Sequence, residues 1–170
     1  MAAGPTYEPL YTQTLGSAQA SITFTGIDQS YTDLVCIFKC EQAILSNIGM
    51  RFGNGSIDTG TNYSSTVMDA DGASYFAASS AYANNNFQQL DYWAAGANKI
   101  KFCIINIPNY SNTTTYKGAL IRLGAEDREV AFIATQWRNT AAINQVQVLP
   151  SGGGNLKAGS ICTIYGIKAA

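Results

Sequence analysis

The chain has 170 residues, which is the size of one domain, and a single core of that size can bury most of its apolar surface. Charged residues make up 12% of the chain, about half the usual share of roughly 25%, and a net charge of −1 provides no excess of basic residues for gripping a nucleic acid backbone. The sequence contains no histidine, so it cannot assemble the usual serine or cysteine triads or any imidazole metal site.

Alternating or β-branched apolar residues recur along the whole chain and predict about nine strands. In chain order, the predicted strand segments are YEPLYTQTL (7–15), ASITFT (20–25), DLVCIFKC (33–40), IGMRF (48–52), KIKFCIINI (99–107), YKGALIRLG (116–124), VAFIATQWR (130–138), AINQVQVL (142–149) and SICTIYGI (160–167). Clusters rich in Gly, Asn and Pro separate them and predict turns at 52–62, 107–115, 124–129 and 150–155.

Short strands at this spacing are typical of an all-β sandwich or barrel. We therefore predict one antiparallel β-sandwich domain over residues 1–170, jelly-roll-like, with eight to nine strands and a short N-terminal arm at 1–6. The pattern does not show strand order, so a jelly roll and another two-sheet sandwich both remain open.

One long segment, 72–90, lacks a clear strand pattern. It combines helix formers with an Asn run that would stop a helix, so we predict a loop with at most one helical turn. Aromatic side chains, which suit protein interfaces, sugar stacking or coverage of an open core, concentrate in and after it. These candidate interface residues are Tyr75, Phe76, Tyr82, Phe87, Tyr92 and Trp93.

The remaining polar and sulfur-bearing residues predict neither a catalytic site nor a cofactor or metal site. Cys36 and Cys40 lie about 13 Å apart along one strand, too far for a disulfide, and all four cysteines are expected in the core. Asp69 and Asp71 lack the spacing of a calcium loop and are predicted in a turn. The carboxylates of 126–129 are expected to be solvated in a connection between strands, which argues against glycoside hydrolysis.

Neither a secretory signal nor a membrane-spanning run is recognisable, since the first fifteen residues lack a basic start and an apolar stretch. The protein is therefore expected to be made in a cytoplasm without passing into a membrane.

Several short motifs span nearly the whole chain: YEPLYTQTL at the start, ASITFTGI followed by YTDLVCIF, then MRFGNG with TNYS after it, and a terminal GSICTIYGI. In this order they resemble small β-rich virion proteins of tailed bacteriophages, including phages of marine and cyanobacterial hosts. The resemblance implies a location on the virion and brings no catalytic or binding residues with it.

Such proteins stand alone as capsid decoration (cement) proteins or end a larger tail or fibre protein. The resemblance therefore implies a non-enzymatic structural protein whose partners are the major capsid protein or other virion proteins, and which forms a homo-oligomer through its N-terminal strand and segment 75–93. The alternative is a tail or fibre module that recognises a host receptor or glycan.

Overall fold

The computed structural model describes residues 6–91, 98–126 and 129–168, with the backbone alone for 76 and 78–84. Within these ranges all regular secondary structure is β, and the described part of the chain contains no helix that could cross a lipid bilayer. The thirteen strands are β1 (Tyr7–Thr14), β2 (Ile22–Thr25), β3 (Asp33–Glu41), β4 (Ile48–Asn54), β5 (Ser56–Ile57), β6 (Tyr63–Ala70), β7 (Tyr75–Asn85), β8 (Gln88–Gln89), β9 (Ile100–Ile107), β10 (Lys117–Ala125), β11 (Val130–Trp137), β12 (Gln145–Pro150) and β13 (Ile161–Ile167).

The strands form a β-sandwich of two antiparallel sheets, as predicted. Eight strands make the larger sheet in the order β1-β13-β3-β9-β10-β11-β6-β7, and the smaller sheet has the order β2-β12-β4-β5, with β8 also paired to β4. Taken alone, β1-β13-β3-β9 and β2-β12-β4-β8 have the strand order of an eight-stranded jelly roll. The other four strands of the larger sheet, β10-β11-β6-β7, extend the jelly roll beyond β9; we call them the extension.

Each of the nine predicted segments contains a strand, but the prediction for 72–90 was wrong. Residues 75–85 form β7, which pairs with β6, and 88–89 form β8. Neither Ala, Ser nor Asn favours strands intrinsically, so β7 exists because the edge of β6 supplies its hydrogen-bond partners.

One continuous core lies between the sheets. Alternate residues of β3, β9 and β13 pack against those of β2, β4 and β12, and all four cysteines are free and buried there, as predicted. Under the extension, the buried Trp137 of β11 stacks on Tyr63 of β6 and contacts Phe52 of β4 edge-on. The Trp137 Nε1–H also donates to Asp58 Oδ2 at 2.7 Å. These contacts fix the extension to the smaller sheet.

Two predictions about carboxylates need correction. Asp69 does not lie in a turn: it is a buried residue of β6, whereas Asp71 does lie in the turn after it and accepts from the Ser74 N–H at 2.7 Å. Glu126 lies in the predicted turn, but Glu129 is 3% exposed, so it is not a solvated charge. For Asp69, the register of β6 directs the side chain inward.

Candidate interaction surface

The outer face of the larger sheet carries an apolar surface that is open to solvent. Along its strands, alternate side chains point into the core and the others point outward. Seven large apolar side chains in outward positions are 36–64% exposed, and we call them the apolar face: Ile37, Met68, Phe102, Ile104, Leu120, Val130 and Phe132.

Strand register aligns the side chains of this surface in rows. The central row runs across five neighbouring strands, through Ile37, Ile104, Arg122, Phe132 and Met68. Because adjacent strands lie about 4.8 Å apart, the row extends over roughly 20 Å. A single cation therefore stands in the middle of an otherwise apolar row.

Two shallow grooves lie on either side of this row. One, of about 480 Å³, is lined by Leu120, Phe132 and Met68 among others. The second, of about 410 Å³, is lined by residues that include Ile37, Phe102 and Val130. Both grooves border Arg122, and both are shallow depressions in a sheet, not clefts that enclose a small molecule.

A glycine shapes the second groove. Phe102 of β9 lies directly opposite Gly124 of β10, and a Cβ atom on Gly124 would come within 2.6 Å of the Phe102 ring. The Phe102 ring therefore lies against the sheet, in space that only a glycine at position 124 leaves free. This contact holds the ring in place before any other protein binds.

Away from the strand ends, the charged residues at outward positions of these central strands are cations, Arg122 and Lys39. The Arg122 Nη2–H donates a long hydrogen bond, 3.4 Å, to Asn106 Oδ1. Lys39 lies one row away from Arg122, opposite Phe102. Three carboxylates at the ends of these strands each bind a group of the chain itself. Asp33 accepts from the Asn109 N–H, Glu41 pairs with Lys157 and Glu126 accepts from the Ile100 N–H.

The predicted interface residues do not form one cluster. Tyr75 is 91% exposed and lies at the rim of the apolar face, opposite Ala70. Phe87 lies on the other sheet, where a Cβ on Gly49 of β4 would come within 2.7 Å of its ring. Phe76 and Tyr82 belong to β7, and Tyr92 and Trp93 lie outside the described residues.

A buried ion pair elsewhere in the fold is structural. Asp91 Oδ1 accepts from the Ile48 N–H at 2.8 Å, and the Lys101 ammonium donates to Asp91 Oδ2 and to the Ser46 carbonyl. Burial raises the pKa of Asp91 from 3.8 to about 6, although the Lys101 charge opposes this shift. The pair joins the start of β4 to β9. In the described ranges, no three Cys, Asp or Glu side chains form a group that could hold a metal ion.

The sequence contains a signal for the apolar face that the strand prediction did not use. In KFCIINI and VAFIA, residues at both alternating sets of positions are apolar. Such strands are typical of sheets that are covered on both faces, whereas a sheet with one face in water alternates between apolar and polar.

Comparisons with known proteins found β-sandwiches at low similarity. No protein-family model and no curated protein matches the sequence. Among solved structures, the chain is similar to CG-16, a homodimeric agglutinin from chicken liver (11% identity, 83% of this chain and 97% of that one, TM-score 0.38). It is also similar to the CBM40 of a Ruminococcus gnavus sialidase bound to sialyllactose (8%, 96% and 95%, TM-score 0.42) and to a toad ovary galectin in complex with thio-digalactose (11%, 86% and 99%, TM-score 0.39). Likenesses at this level carry no inference about function.

Proposed function

We propose that this chain is a non-enzymatic structural protein of a bacteriophage particle, which attaches to the assembled shell as a capsid decoration, or cement, protein. The apolar face is the observation that carries the proposal. With typical side-chain areas of roughly 150–200 Å², its seven side chains together expose roughly 550–740 Å². The largest apolar patch of a monomeric protein is usually about 300–600 Å² and is often functional, so this face lies at or above the upper end of that range and is suited to burial against another protein.

The area also fits attachment to a shell. A standard protein interface buries roughly 800 Å² on each partner, close to what the apolar face offers together with the polar residues around it. A protein that binds the assembled shell and not its free subunits stabilises the particle by mass action. This role requires no chemical step.

The motifs shared with phage virion proteins are the second support. Jelly rolls occur in viral capsid and lectin domains, but fold analogy alone does not choose between these roles. In this proposal the copies associate with one another through β1 and segment 75–93, which leaves the apolar face for the shell.

The first experiment measures copy number by quantitative mass spectrometry of particles of the phage that encodes this chain. Hundreds of copies, in a simple ratio to the major capsid protein, are the expected result. A few to a few tens of copies would contradict decoration and would favour a tail module that recognises a receptor or glycan.

A second experiment compares two leucine variants in binding to shells stripped of this protein. Leu120 lies on the apolar face and is 60% exposed, while Leu45, in the loop between β3 and β4, is 65% exposed. Leu120→Ser removes roughly 100 Å² of apolar contact, worth about 2–3 kcal/mol, and should weaken binding about 30-fold or more. The matched control Leu45→Ser should bind like the wild type. Equal binding by both variants would exclude the apolar face as the attachment surface.

A further inference from the structure

We infer that the partner of the apolar face is a different protein, with an apolar surface that carries a carboxylate opposite Arg122, and that Arg122 prevents a second copy of this chain from docking there. This inference rests on the proposed function, because it takes the apolar face as the attachment surface. It adds which kind of protein surface the apolar face binds and which it excludes.

Area alone would permit a second copy, because roughly 550–740 Å² per partner approaches the roughly 800 Å² that each partner buries in a standard interface. Position argues against it. Arg122 is at the centre of the apolar face, with Ile104 and Ile37 on one side in its row and Phe132 and Met68 on the other. In a two-fold dimer the centre of the patch meets its own symmetry mate, so full coverage of the face brings the two Arg122 side chains together.

Nothing on the described outer face would compensate that meeting of like charges. Lys39 adds a second positive charge, and the carboxylates described at the strand ends, Asp33, Glu41 and Glu126, already bind groups of their own chain. A covered guanidinium with one long hydrogen bond, to Asn106, leaves most of its donors without an acceptor. Like-charge juxtaposition in an interface therefore disfavours self-docking.

A partner carboxylate resolves the same problem. It offers two acceptor oxygens to the planar fork of the guanidinium, and such pairs are both strong and geometrically specific. The apolar side chains around Arg122 exclude water from the pair once the face is covered, which makes the match selective. The chemistry of the site thus points to a protein surface with apolar side chains around one Asp or Glu.

The isolated protein tests the first half of this inference by sedimentation velocity over a range of concentrations. Association through other contacts contributes equally to all variants, so the comparison is between variants. Wild type and Leu120→Ser should have the same mass, whereas Arg122→Leu should gain a further self-association that Arg122→Leu combined with Leu120→Ser loses. A wild-type association that Leu120→Ser abolishes, or an Arg122→Leu variant with unchanged mass, would overturn the inference.

Stripped shells test the second half. Arg122→Gln should bind about tenfold more weakly or worse, Arg122→Lys should be intermediate, and Lys99→Gln, which removes an exposed cation before β9, should match the wild type. Undiminished binding by Arg122→Gln, or tighter binding by Arg122→Leu, would show that the partner has no carboxylate there. If the wild type itself failed to bind shells, the proposed function would be wrong, while the sedimentation experiment would still decide whether Arg122 excludes a second copy.

Discussion

Replacing Lys101 by methionine should destabilise the fold by about 3–5 kcal/mol, and adding Asp91→Asn should restore most of that loss. Both side chains are at most 2% exposed, so neither charge can be solvated when its partner is removed. In Lys101→Met, the Asp91 carboxylate loses the ammonium and retains the hydrogen bond from the Ile48 N–H. In Asp91→Asn, the Lys101 ammonium loses the carboxylate and retains the hydrogen bond to the Ser46 carbonyl. Each single variant leaves an uncompensated buried charge.

The double variant removes both charges together. Methionine has nearly the length of lysine, and asparagine retains an oxygen that can accept from the Ile48 N–H. We therefore expect the double variant to lie within about 1–2 kcal/mol of the wild type, because replacing a whole buried pair is often close to neutral. The gap between this value and the sum of the single losses measures the coupling within the pair.

Urea denaturation at neutral pH supplies these free energies of unfolding, with thermal midpoints as a second readout. A loss of 3–5 kcal/mol corresponds to a decrease of roughly 6–20 °C in Tm for a domain of this size. Lys99→Met, which replaces an exposed lysine just before β9, is the matched control and should change stability by less than about 0.5 kcal/mol. Additive losses in the double variant would show that the two side chains stabilise the fold independently and that the ion-pair argument is wrong.

Further predictions concern titration, thiols and packing. The pKa of Asp91 is higher in the folded chain (about 6) than its ordinary value of 3.8, so the contribution of this group to stability is full below about pH 4 and is lost as the pH rises to 6. The free energy of unfolding of the wild type should therefore decrease over this range relative to that of the Lys101→Met, Asp91→Asn double variant. Burial raises the pKa of all four thiols, so a thiol reagent at pH 8 should modify them only after unfolding, and rapid reaction of the native protein would contradict their burial. Trp137→Phe, which loses the hydrogen bond to Asp58 and part of the ring packing, should lower the unfolding free energy by about 2–4 kcal/mol in the same urea assay. Gly124→Ala should displace the Phe102 ring, so its loss of free energy of shell binding should exceed its loss of free energy of unfolding. Binding and urea measurements on the same variant that gave the larger loss in unfolding would contradict this prediction.

Seven of the eight jelly-roll strands were predicted, because each is an alternating or β-branched apolar run that can be recognised locally, whereas the two-residue strand β8 was not. Strand β7 was missed for the opposite reason, since its Ala, Ser and Asn residues have no pattern of their own and become a strand through pairing with β6. Strand β6 was missed as well, although YSSTVMDA alternates, because its buried positions include Ser65 and Asp69. A buried polar side chain makes a strand look like a turn when only the sequence is considered.

The apolar face was beyond such prediction for a different reason. Its residues come from β3, β6, β9, β10 and β11, and β6 is separated from β10 and β11 by more than forty residues along the chain. Local patterns indicate that several strands are apolar on both sides, but only the non-local strand order places them next to one another. The aromatic segment that composition singled out contributes Tyr75 to the rim of this surface.

The extension accounts for the surface in structural terms. Its strands supply Met68, Leu120, Val130 and Phe132, and the jelly-roll strands β3 and β9 supply the rest. A sheet extension would be mobile if its inner side were uncovered, but here Trp137 packs that side against the smaller sheet. The outward side chains therefore stand on a fixed framework.

A fixed framework lowers the cost of ordering the surface when a partner binds, so more of the buried area contributes to affinity. It also separates two effects of mutation. Changes on the inner side of β11, such as Trp137→Phe, alter stability, whereas changes on its outer side, such as Phe132→Ser, remove contact area that is already half exposed in the free protein. We therefore expect Phe132→Ser to unfold at nearly the wild-type urea concentration while losing shell binding as Leu120→Ser does. A large loss of stability in Phe132→Ser would mean that the apolar face is covered within the chain itself.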